Sequence, residues 1–111
     1  MNLDKITQNE CSNDGTKIHL YYSAEAEMWI SFGYSAFILT SIVQNESINH
    51  IDNFSVQLQM PSIIINNTTL KKVSTIHKTI KVNKEQYVIV FGSNCVNAEE
   101  YREWTTALRG K

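Results

Sequence analysis

The sequence predicts a sheet-rich α+β fold, a strongly bent antiparallel sheet or partly open barrel packed by one C-terminal helix, and three observations carry that expectation. Residues 28–43 form the densest apolar run of the chain. Read at a period of two, Met28, Ile30, Phe32, Tyr34 and Ile38 fall on one side and Ser31, Gly33, Ser35 and Ser41 on the other, which is strand spacing. Shorter segments at 17–22, 54–60 and 78–91 alternate or are rich in β-branched and aromatic residues. Residues 97–110 carry the start and stop signals of a helix.

Taken in order, residues 1–16 are polar and include the turn-forming Asn13-Asp14-Gly15. They are expected to be a flexible N-terminal segment, frayed or with one short helical turn, ahead of a single globular domain over 17–111. Residues 17–22 set Ile18, Leu20 and Tyr22 against Lys17, His19 and Tyr21, a half-exposed strand. Residues 28–43 exceed the ~5–6 residues of an ordinary strand, so they must bend, and Gly33 is the natural place. The alternative is a long helix over 24–44 lying on the antiparallel sheet, with Ser23 as its cap. Against it, the polar residues of the run scatter around the whole circumference and leave no clean apolar stripe.

Residues 44–53 have turn composition and are expected as a loop or one short helical turn. Phe54, Val56, Leu58 and Met60 alternate with Ser55, Gln57 and Gln59 and predict a strand ended by Pro61. A short strand over 62–65 then turns at Asn66-Asn67 into an extended 70–77. A hairpin of 78–82 and 86–91 follows, whose Tyr-Val-Ile-Val-Phe run is apolar on both sides and predicts a strand covered on both faces. Asn97 with Glu100 three residues on makes a capping-box spacing, and Gly110 marks the stop. Tyr101, Trp104, Thr105 and Leu108 share the face that should dock on the sheet.

Composition limits the chemistry. Charged residues are 19% of the chain against a typical ~25%, and the formal net charge is −1, so a basic face for a phosphate backbone is not expected. The run at 28–43 falls short of the ~20 apolar residues of a membrane span. Cys11 and Cys95 lie far apart in no metal-ligand spacing, and the N-terminus lacks the basic-then-apolar pattern of a signal peptide. Two free thiols in a cytoplasmic protein, with no metal and no cofactor, is the expectation.

Glu99-Glu100-Tyr101-Arg102-Glu103-Trp104 loosely resembles the final helix of pleckstrin-homology domains. The resemblance covers the last fifth of the chain, and the basic cluster of phosphoinositide-binding members is missing from the first hairpin, where Lys17 stands alone.

For catalysis, the one weak candidate is Cys95, where a strand hands over to a helix whose N-terminus can lower a thiol pKa. A nucleophile needs a base, and His19, His50 and His77 are the histidines on offer. Thiol-dependent or redox chemistry is therefore the alternative, and a non-enzymatic binding or assembly module is the main expectation. Its basis is leftover apolar surface. If 28–43 is extended, Trp29, Phe37, Leu39 and Val43 fall on a second face that one helix cannot cover. A second copy could cover it, making a homo-oligomer through an isologous contact. A partner protein, or a small apolar ligand in a cavity lined by Trp29, Tyr34, Phe37 and Trp104, could do the same. Helical structure in this run would remove the main support for the dimer.

Overall fold

A computed structural model describes residues 2–45 and 50–110. After an N-terminal helix, α1 (Leu3–Cys11), the chain runs strand, strand, helix three times: β1 (Lys17–Ser23), β2 (Met28–Phe32), α2 (Gly33–Asn45); β3 (Ile51–Ser55), β4 (Met60–Ile65), α3 (Asn67–Ile76); β5 (Thr79–Asn83), β6 (Gln86–Val90), α4 (Ala98–Arg109). The six strands form one open antiparallel sheet in the order β3-β4-β2-β1-β6-β5, so two outer hairpins flank the central one. The class is the predicted sheet-rich α+β fold, and the C-terminal helix packs on the sheet as its spacing predicts, with Leu108 buried and Asn97 Oδ1 accepting from the Glu99 and Glu100 amides.

The long apolar run divides between the two readings. Residues 28–32 are strand, Gly33 bends the chain with a φ of +59°, and the rest is helix α2 rather than a second strand. A side chain at Gly33 would crowd the Glu10 carboxylate and the Met60 sulfur at 3.3 Å, so both conformation and space require glycine. The missing apolar stripe misled because α2 is buried on several sides, against the sheet and against α4. Its polar residues are satisfied inside: Thr40 Oγ1 donates to the Ala36 carbonyl at 2.9 Å, and Ser35 bonds to Glu10.

Other corrections are local. Where a flexible start is expected, nine residues form α1, capped by Asn2 and held by buried Ile6 and Glu10. Residues 46–49 of the expected loop lie outside the described residues, and Ile51–Ser55 beyond them is strand β3. The single strand predicted over 54–60 is instead the end of β3, a hairpin turn over 56–59 and the start of β4, with Gln59 at a φ of +54° and the Leu58 amide donating to Ser55 Oγ. Pro61 does not end a strand but lies in β4, just past the last pairing with β2 at Ser62, where its missing N–H breaks no bond to β2. The extended 70–77 is helix α3: Asn66 caps it by accepting from the Thr69 amide at 2.8 Å, and burial of Leu70 and Val73 overrides the β-branched composition. β6 is covered on one face only, since Val88 and Val90 stay partly exposed opposite buried Ile89. With an open sheet and three further helices, the likeness to pleckstrin-homology domains stops at the last helix.

The main core lies on one face of the sheet. Ile18, Leu20, Ile63, Ile65 and Ile89 point into it from the strands, and Ala36, Leu39 and Val43 of α2 with Leu70 and Val73 of α3 close it.

Candidate binding surface on the open sheet face

Alternation along each strand puts the remaining side chains on the opposite face. Pairing registers align one row across the whole sheet: Ile51, Ile64, Ile30, Tyr21, Gln86 and Asn83. Beside it run Asn53, Ser62 and Phe32 on one half and His19, Val88 and Ile80 on the other. None of these carries a fixed charge. Lys17, opposite Val90, is the first charge met on this face at the central strand.

One helix covers part of this face. Ile6 of α1 packs with Tyr21 and Phe32 in a second, smaller core. The Tyr21 hydroxyl accepts from Asn9 at 2.9 Å, and burial pushes its pKa up to about 12. The C-terminal end of α1 is tied to the start of α2. Phe32 has no side-chain acceptor to cap α2, and Glu10 takes that role from another helix: Oε1 accepts from the Ser35 amide at 3.1 Å and Oε2 from the Ser35 hydroxyl at 2.7 Å. Asn13 Nδ2 joins the network through Ser35 Oγ and the Lys17 carbonyl. Burial raises the Glu10 pKa, and its hydrogen bonds to Ser35 oppose the rise. His19, stacked on Tyr21, is held neutral further down the pH scale because burial lowers its pKa, and its Nδ1 is buried without a partner.

Helix α1 thus stands as a ridge on the open face. On its β2–β4 flank lies a groove of about 410 Å³, lined by the apolar Leu3, Ile30, Phe32, Leu58 and Ile64 and by the polar Asn53, Ser55, Gln57 and Ser62. Ile51 and Ile80 lie farther out and are 53% and 46% exposed.

The residues singled out from the sequence gather elsewhere. Trp29 is buried in the helix-covered core, its ring 5.1 Å from Tyr22 and 4.9 Å from Tyr87, with Nε1 donating to Asn67 Oδ1 at 2.6 Å. Leu39 is sealed in the same core. Tyr34, Phe37 and Trp104 come together with Tyr101 as a ring cluster between α2 and α4: Tyr34 and Phe37 meet Tyr101 edge to face at 4.8 and 5.7 Å, and Phe37 lies tilted against Trp104 at 5.6 Å. These rings pack on one another, so the surface that Trp29, Phe37 and Leu39 were expected to leave open is covered by this chain's own helices. Cys95 is exposed two residues ahead of the α4 cap, and its thiol donates to the Ser93 carbonyl at 3.4 Å. The histidines are engaged elsewhere: His50 lies 3.3 Å from Asp52 and the His77 ring 5.0 Å from Phe91. Cys11 is also a free, exposed thiol.

Ile30, Phe32, Ile64 and Val88 were legible as strand residues but not as surface, because alternation shows that two faces exist without showing which one the helices take. No helix among the described residues is long and apolar enough to cross a membrane. Fold and surface define an α+β domain with three helices on one face of its sheet and one on the other. In comparisons with known proteins, no family model, no curated protein and no solved structure matches this chain.

Proposed function

We propose that the protein is a non-enzymatic assembly module that works as a homodimer, two copies meeting through their open sheet faces. The observation that carries this reading is the uncharged, partly exposed apolar surface of Ile51, Ile64 and Ile30 on one half of the face and of Val88 and Ile80 on the other. An isologous contact brings a surface onto its own copy, and sheet residues without fixed charges add no like-charge repulsion when they meet, the lysines of α1 and of the β5–β6 turn lying beside them. The α1 ridge beside an apolar groove adds a self-complementary shape, since a two-fold axis can set each ridge along the groove of the other copy. Size agrees. A molecule with extents of 31 × 29 × 27 Å can supply the ~800 Å² per partner that a standard interface buries. A cytoplasmic setting suits two unpaired, exposed thiols. Light scattering on the eluting protein across micromolar concentrations tests the proposal. A mass of twice 12.7 kDa supports it, and a mass of 12.7 kDa throughout overturns it and leaves a partner protein or a small apolar ligand as the occupant of the groove.

A further inference from the structure

The other flank of α1 holds a pocket of a different character. It is about 460 Å³, the size range of small-molecule sites, and lies where the α1 N-terminus meets the β5–β6 turn. Lys5 enters it from α1 and Lys84 from the turn, with Glu85 the one acidic side chain in its wall. Gln86 also lines it. This residue is 6% exposed, and among the described residues its amide makes no protein hydrogen bond. It is not one of the polar groups shut away from solvent without a partner, so the amide reaches solvent through the pocket. Its neighbour in the row, Tyr21, has its hydroxyl engaged by Asn9, so among the residues lining this pocket Gln86 is a buried polar side chain with bonding capacity unused.

From this geometry we infer that the pocket is a binding site for a small oxyanion, a carboxylate or a phosphate group, held by the Gln86 side-chain amide between the ammonium groups of Lys5 and Lys84. Two lysines against one glutamate give the lining a net positive charge, and an amide N–H donating to an anion forms the stronger, charge-assisted kind of hydrogen bond. The site is separate from the apolar groove.

The test is a titration of isotope-labelled full-length protein with inorganic phosphate and, separately, with acetate, observed by NMR at the Gln86 side-chain amide in the wild type and at the Lys84 and Glu85 backbone amides in the wild type and every variant. Ionic strength is held constant with sodium chloride. A saturable shift with phosphate alone assigns the site to a phosphate group, and one with acetate alone to a carboxylate. Gln86→Met should weaken binding about tenfold, the factor corresponding to one hydrogen bond to a charged group. Gln86→Glu, which keeps the size and repels the anion, should abolish it, and Lys84→Gln should weaken it. If the Met variant does not fold, the Glu and Lys84 variants decide. Shifts that do not saturate, or binding that the folded variants leave unchanged, overturn the assignment.

Discussion

The two faces of the sheet share their strands and differ in what lies on them. On one, Ile18, Ile63 and Ile89 have no exposed surface beneath α2 and its neighbours; on the other, His19, Ile30, Ile64 and Val88 stay partly open around a single short helix. The turn at Gly33 makes the difference. It sends the chain after β2 across the Trp29 side of the sheet, and two further crossings by α3 and α4 follow it. One face is stabilised by burial within the chain, and the other keeps apolar surface partly exposed, the surface that the proposed dimer would bury.

The sharpest way to break this contrast is to truncate matched residues on the two sides. Leu39→Ala should cost ~2–5 kcal/mol in denaturant unfolding, since it empties a sealed site under α2. Next comes the tie between α1 and α2. Glu10→Ala leaves the Ser35 amide and hydroxyl without their buried partner and should cost ~1–3 kcal/mol. Glu10 also sets a pH slope. Its folded pKa is raised above 4.5, so the protonated form favours folding. That contribution is complete below pH 4.5 and is lost as pH rises through the folded value. Glu10→Gln should flatten this part of the stability profile.

Tyr21 gives a slope at the alkaline end. Its pKa of about 12 against an ordinary 10 means that stability is intact below pH 10 and lost as pH rises toward 12. In an ultraviolet titration, Tyr21 should ionise about two units after an ordinary phenol, with Tyr101 also delayed by its burial, and Tyr21→Phe should remove the step near pH 12. The smallest effect belongs to the open face. Ile80→Ala, at a side chain 46% exposed, should change monomer stability by no more than ~0.5 kcal/mol. A loss approaching that of Leu39→Ala would show that the open face is covered within the monomer.

Local signals made part of this legible. The C-terminal helix was readable because its cap, charges and apolar spacing agree, and the 78–91 hairpin and β1 were readable from alternation and turn residues. Helices α2 and α3 were not, because tertiary burial decided them. The surroundings of α2 are apolar on several sides, which erases the stripe, and α3 is held by an asparagine cap and by Leu70 and Val73 rather than by helix propensity. The turn over residues 56–59 hid behind a perfect period-two pattern. Trp29, Phe37 and Leu39 were legible as large apolar residues needing cover, but which element covers them depends on the path of the chain after Gly33. The Gln86 pocket left no trace in the sequence, since it is assembled from a helix and a hairpin about eighty residues apart.

The central claim is that assembly runs through the open face, and sedimentation equilibrium of the wild type beside the Ile51→Lys, Ile80→Lys double variant tests it most directly. Both side chains are about half-exposed, so the lysines leave the fold intact while placing charge on the face proposed to meet its own copy. The account predicts twice 12.7 kDa for the wild type and 12.7 kDa for the variant. A monomeric wild type, or a double variant that still sediments as a dimer, would contradict it.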